Sequence, residues 1–117
     1  MHILIVDDDA MNRLLLEIII KQAQEHTFQS VTNGLEAIET VANGNFDIVF
    51  MDINMPILDG IETTQKIRAN TSIQKQPIII AITADARTLI QLKCQEVGMN
   101  GFILKPVSIK TILEFLK

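Results

Sequence analysis

Ile48–Glu62 reads IVFMDINMPILDGIE, and the way this stretch is read decides the fold. The apolar run from Ile48 to Met51 is short and unbroken, and it ends in a single carboxylate, Asp52. Runs of that length bounded by turn signals form strands covered on both faces. A loop with Asn54 and Pro56 follows, and Asp59-Gly60-Ile61-Glu62 then opens a helix. Asp59 with Glu62 three residues on is a capping-box pattern, in which each side chain takes backbone N–H groups at the helix start. Asp52 therefore stands at the carboxyl end of a buried strand, where open α/β sheets bind their ligands. Alone, it would read as a carboxylate that caps a loop.

The same strand-then-helix unit recurs on either side. Upstream, His2 to Val6 is an aliphatic strand, and Asp9 caps a helix in which Met11, Leu14, Leu15, Ile18 and Ile19 recur at helical spacing. Thr27 to Val31 is more polar and suits an outer strand. Asn33-Gly34-Leu35-Glu36 repeats the capping pattern before a helix that turns Ala37, Ile38 and Val41 inward and stops at Gly44. Downstream, the helix after Asp59 buries Ile61, Thr64 and Ile67. Pro77 suits the first residue of the next strand, which runs through Ile78–Ile82 to Thr83-Ala84-Asp85. A fourth helix holds Leu89, Ile90, Leu92, Cys94 and Val97, and Gly98 stands where a left-handed C-cap belongs. Phe102 to Leu104 is the last strand, and Ser108 caps a final helix carrying Ile109, Ile112, Leu113 and Leu116. Five strands alternating strictly with five helices imply an α/β fold: one parallel sheet with helices on both faces and right-handed crossovers. Periodicity does not give the strand order.

Composition narrows the function classes. The 117 residues suit one domain spanning 1–117, with 48% apolar and 21% charged side chains, as in ordinary globular proteins. The net charge is −4 and no Lys/Arg run exists, which argues against direct nucleic-acid binding. No stretch has the length to cross a bilayer, so membrane insertion is not expected. The single cysteine, Cys94, fits a buried thiol in a reducing cytoplasm. His2 and His26 have no paired ligands near them and read as structural or solvated.

The chemistry lies in what ends each strand. Asp7, Asp8 and Asp9 follow the first, Asp52 the third, Thr83 the fourth and Lys105 the fifth. Strands of a parallel sheet point one way, so these groups gather along one edge. Carboxylates about 4 Å apart repel by roughly 4 kcal/mol per pair at an effective dielectric near 20. A hard divalent cation, Mg2+ (or Mn2+), offsets that repulsion, because it takes carboxylate, carbonyl and water oxygens. Lys105 adds a compact cation suited to phosphate, and Thr83 adds a hydroxyl donor. A carboxylate nucleophile, a metal, a lysine and a hydroxyl together make a phosphoryl-transfer site.

The segments ILIVDDD, MDINMPILDG, AITAD and FILKP occur in the order and spacing of the receiver domains of two-component response regulators, which the chain resembles from Ile3 to Leu116. The resemblance implies a flavodoxin-like, doubly wound (βα)5 sheet of order 2-1-3-4-5. It implies Asp52 as phospho-acceptor, supplied by a phosphohistidine on a histidine kinase or histidine phosphotransfer protein. Asp8 and Asp52 would then bind the metal directly, Asp7 through water, and Asn54 through its backbone carbonyl. Thr83 and Lys105 would meet the phosphoryl oxygens. Phe102 occupies the aromatic switch position, without the hydroxyl of the tyrosine often found there. The expected outcome is a change of the surface formed by the fourth helix, fifth strand and fifth helix. Asn54 and Asp85 are expected at the mouth of the site, tuning phosphoaspartate hydrolysis, and Asp9 is read as a helix cap. MDINMPILDG and CQEVGMNGFILKP resemble receivers carried within hybrid sensor kinases.

A rival from another class is a haloacid-dehalogenase-type phosphohydrolase with Asp7 as nucleophile, since Asp7-Asp8-Asp9 meets its Asp-x-Asp pattern. That scheme needs a late acidic pair and a substrate cap, and it leaves Asp52, Pro56 and Asp59-Gly60 without a role.

Overall fold

A computed structural model describes residues 1–117. The elements run β1 (His2–Val6), α1 (Ala10–Ala23), β2 (Thr27–Val31), α2 (Gly34–Asn43), β3 (Ile48–Asp52), α3 (Gly60–Ala69), β4 (Ile78–Thr83), α4 (Thr88–Glu96), β5 (Gly101–Leu104) and α5 (Ile109–Phe115). All neighbouring strands are parallel, in the order β2-β1-β3-β4-β5. The strict alternation and the expected order are both realised.

Residue alternation along the strands divides the core in two. Ile3, Ile5, Ile48, Phe50, Ile80 and Ile82 face α1 and α5, meeting Leu16, Ile19, Ile20, Ile112 and Leu116. Leu4, Val6, Val49, Met51, Ile79 and Ala81 face the other way, toward Ala37, Val41, Ile67 and Cys94 of α2, α3 and α4. β1, β3 and β4 are almost continuously apolar because both their faces are covered.

Local capping places the helices as expected. Asp9 takes the N–H groups of Met11 and Asn12, at 2.8 and 3.4 Å. Asn33 takes that of Glu36 and Asp59 that of Glu62, each at 2.8 Å, and Ser108 takes that of Thr111 at 3.2 Å. The Glu36 carboxylate reciprocates onto Thr32 N–H, one residue before the cap. Gly98 closes α4 with φ 98°, the left-handed geometry expected of it.

Three readings need correction. The inward face of α1 is Leu16, Ile19 and Ile20, whereas Met11, Leu14, Leu15 and Ile18 stay 43–71% exposed. The helix carries aliphatic residues on nearly all sides, so two stripes of helical spacing compete, and the sheet takes the other one. β4 begins at Ile78, just after Pro77, because the Ile78 N–H is needed by Asp47 O at 3.0 Å. β5 begins one residue early, at Gly101, where a side chain would strike Ile80 and Phe115.

Arg68 has a role that its sequence context did not announce. From the end of α3 its guanidinium donates to Gly98 O (3.0 Å), Pro77 O (2.7 Å), Gln76 Oε1 (2.9 Å) and Asn100 Oδ1 (2.9 Å). Asn100 Oδ1 also takes the Ile79 N–H at 2.9 Å. One side chain thus ties α3 to the starts of β4 and β5 and to the turn after α4.

Gly60 sets the approach of α3 to the strand that carries Asp52. Its N–H donates to Ile53 O at 2.9 Å, and a Cβ there would lie 2.4 Å from Asp52 O and 2.9 Å from Ile53 Cα. Backbone atoms cannot yield as a flexible side chain would. Gly60→Ala is therefore expected to cost about 1–3 kcal/mol, read as a lower urea midpoint at unchanged m-value; an unchanged midpoint would refute the close approach.

Candidate functional site

The carboxyl ends of β1, β3, β4 and β5 meet at one edge of the sheet. Asp7 and Asp8 follow β1, Asp52 ends β3, Thr83 ends β4 and Lys105 follows β5. Asp7, Asp8 and Asp52 each present a carboxylate oxygen, all within 4.8 Å of one another. Asp7 and Asp52 are buried, 2% and 3% exposed, while Asp8 is open to solvent. Lys105 Nζ lies 3.4 Å from Asp52 Oδ1. Its backbone N–H donates to Thr83 O at 2.8 Å, which fixes the lysine beside the end of β4.

Thr83 is fully buried. Its Oγ1 takes the Asp85 N–H at 3.1 Å and lies 3.5 Å from Asn54 Nδ2. The Asn54 side chain thus reaches across the mouth from the β3–α3 loop. The Asp85 carboxylate is held by Arg87, with Nη2 at 2.6 Å, and does not join the three acids. Phe102, opposite Ala81 in register, is half-buried against the core and borders a cleft of about 270 Å³ with Cys94 and Met99. Cys94 is buried as expected, and burial pushes its thiol pKa up. Asp9 caps α1, and its N–H donates to Asp7 Oδ1 at 2.9 Å, aiming that carboxylate.

Two features of the site had no sequence signal. A cleft of about 420 Å³ opens between α1 and the β5–α5 loop, with Leu15, Leu16, Ile82, Pro106 and Val107 on its walls and Asp7 and Lys105 at one end. Its lining comes from four separate segments, so no periodicity could have revealed it. Ile57 stands in the β3–α3 loop with φ 72° and 83% exposure, a left-handed geometry that β-branched residues rarely adopt.

Burial dominates the electrostatics. Loss of hydration, then the charge of Asp7, pushes the Asp52 carboxyl up to about 6; Lys105 and the Asn54 N–H pull the other way. Asp7 is likewise raised by burial, against the Asp9 N–H and Lys105. One lysine does not neutralise three acids. The donors are all carboxylate oxygens, with no thiolate or imidazole among them, which fits a hard cation such as Mg2+ or Mn2+.

Folding raises the Asp52 carboxyl from 3.8 to about 6, so between those pH values the native state holds a proton that the unfolded state has released. By linkage this contribution favours the fold at low pH and is lost as pH climbs through that window. In metal-free protein, Asp52→Asn should therefore flatten the fall in Tm between about pH 4 and 6. At pH 7 it should be the more stable form by about 1 kcal/mol, or roughly 3–6 °C in Tm. Added Mg2+ should stabilise the unsubstituted protein more than the variant. Parallel pH profiles for the two proteins would contradict the assignment.

Comparison with known proteins agrees with this geometry. Residues 3–117 match the family model described as the response regulator receiver domain. The chain is 36% identical over 116 residues to hybrid signal transduction histidine kinase E of Dictyostelium discoideum, covering 97% of this chain but 7% of that protein. It is 34% identical to chemotaxis protein CheY-3 of Vibrio cholerae, covering 99% of this chain and 88% of that one. Among solved structures, the receiver domain of a sensor histidine kinase from Pseudomonas aeruginosa, with magnesium coordinated in its active-site cleft, superposes with a TM-score of 0.87 at 29% identity, covering 98% and 93% of the two chains. A receiver from Saccharomyces cerevisiae in complex with the histidine phosphotransfer protein Ypd1 gives 0.88 at 27% identity, covering 98% and 85%. The phosphohydrolase alternative finds no support in these matches. The chain belongs to the response regulator receiver domains, which are signalling domains of phosphorelays rather than classical enzymes.

Proposed function

We propose that residues 1–117 act as one cytoplasmic receiver domain in which Asp52 accepts a phosphoryl group from a phosphohistidine. The observation that carries this reading is the buried Asp52 carboxylate at the end of β3, within 4.8 Å of Asp7 and Asp8 and 3.4 Å from Lys105 Nζ. Asp8, Asp52 and the Asn54 backbone carbonyl would hold Mg2+ (or Mn2+), with Asp7 acting through water. The Pseudomonas relative with magnesium in its cleft supports that assignment. The cation would supply charge neutralisation between carboxylates and phosphoryl oxygens.

An Asp52 oxygen attacks phosphorus, the bond from phosphorus to the imidazole nitrogen breaks, and the imidazole leaves with that electron pair. Lys105 neutralises the charge carried by the phosphoryl oxygens, and Thr83 donates its hydroxyl to one of them. To do so Thr83 gives up the Asp85 N–H, the β4–α4 loop moves inward, and Phe102 turns toward the space released. Phosphorylation thereby shifts the population between two packings of the α4, β5 and α5 surface. Asn54 and Asp85, at the mouth, tune the attack of water on the aspartyl phosphate.

The donor would be a histidine kinase or a histidine phosphotransfer protein, by analogy with the yeast receiver bound to Ypd1. The exposed stripe of Met11, Leu14, Leu15 and Ile18, continuous through Leu15 with the cleft that holds Asp7 and Lys105, offers such a partner an apolar face beside the acidic edge. No helix is long and apolar enough to cross a membrane.

Intact mass after exposure to acetyl phosphate and Mg2+ tests the reading. One added phosphoryl group is expected, absent in Asp52→Asn, together with amide shifts in α4, β5 and α5 that the variant does not show. Unchanged labelling of Asp52→Asn, or steady turnover of phosphate esters abolished by Asp7→Asn, would overturn it.

A further inference from the structure

The β4–α4 loop carries a charge pair, Asp85 with Arg87, whose arginine has been given no part in the phosphorylation chemistry. Asp85 takes three donors from one residue: Arg87 N at 3.0 Å, Nε at 3.0 Å from both carboxylate oxygens, and Nη2 at 2.6 Å. This is a forked contact, the geometry in which guanidinium and carboxylate bind best. Consistently, the Arg87 guanidinium holds the Asp85 carboxyl below its ordinary value.

The pair sits between two moving parts. On one side the Asp85 N–H donates to Thr83 Oγ1, the hydroxyl that must turn to the phosphoryl group. On the other side Arg87 is the N-cap residue, just before α4, and gives that helix no side-chain cap. Loop and helix start are thus fastened to each other by this pair. Asn54 Nδ2, at 3.5 Å, also reaches the Thr83 hydroxyl.

We propose that Arg87 is a positioning residue: through Asp85 it latches the β4–α4 loop in the resting arrangement, where Thr83 Oγ1 takes the Asp85 N–H, and so opposes the phosphorylated packing. The inference rests on the receiver reading above and adds a residue to it. A latch that exists in the resting packing alone biases the equilibrium by its own strength. An exposed ion pair of this kind is worth about a two- to fivefold change in an equilibrium constant.

The test is binding of beryllofluoride with Mg2+, a phosphoryl mimic, followed by NMR of backbone amides, since the chain has no Trp or Tyr to report it optically. Asp85→Asn combined with Arg87→Gln leaves the net charge unchanged, so altered attraction for an anion does not explain an effect. The double variant should bind about two- to fivefold more tightly than the unsubstituted protein, with Arg87→Lys between them. That ratio should shrink toward one at high ionic strength, where the pair is screened, a dependence that a purely structural role for Arg87 would not produce. Equal or weaker binding by a folded double variant, or a ratio indifferent to salt, overturns the latch alone. Failure of the unsubstituted protein to bind the mimic at all would instead remove the receiver reading beneath it.

Discussion

Mutual repulsion among Asp7, Asp8 and Asp52 is the constraint around which the carboxyl edge of the sheet is built. Two of the three are buried, and Lys105 at 3.4 Å offsets only part of the charge. The rest of the fold holds these groups together against that repulsion. β1 and β3 are neighbours in register from Ile3–Ile48 to Val6–Met51, so the carboxylates that follow them cannot drift apart. The aliphatic layers on both faces exclude water from the strands below. An edge that is strained when empty is suited to a ligand of opposite charge, because binding relieves an unfavourable term already present.

A second layer of control lies in the loops. Thr83, Asp85 and Arg87 form a relay of short bonds from the buried edge to the first turn of α4. Arg68 fastens the other end of that helix, donating to Gly98 O two residues past it. α4 is therefore held at its start by an exposed charge pair that solvent can screen, and just past its end by a partly buried bond from Arg68 to Gly98 O that solvent reaches less easily. The two ends differ in how readily they let go.

What the sequence made legible was whatever is local or periodic. Asp9, Asn33, Asp59 and Ser108 each cap a helix through bonds spanning two or three residues, and each was readable. The gathering of Asp7, Asp52, Thr83 and Lys105 followed from strands sharing one direction, whereas the strand order came from resemblance alone. The inward face of α1 was misread because aliphatic residues surround that helix, and only the position of the sheet chooses between its stripes. Arg68 was silent because its partners are two backbone carbonyls, Gln76 and Asn100, eight to thirty-two residues away. Arg87 was silent because a loop arginine two residues from an aspartate has no periodic signature.

β1 delivers Asp7 and Asp8 together, and every further group at this edge comes from a different strand, separated from the one before by at least a complete helix. No fragment of the polypeptide can assemble the notch, because parallel neighbours meet only after long loops have closed. A nascent or half-collapsed chain thus owns every one of these side chains yet lacks the arrangement that sets Asp7, Asp8 and Asp52 beside Lys105. The notch exists only in the finished sheet, so a misfolded copy carries the acids without the pocket of charge that would hold a cation.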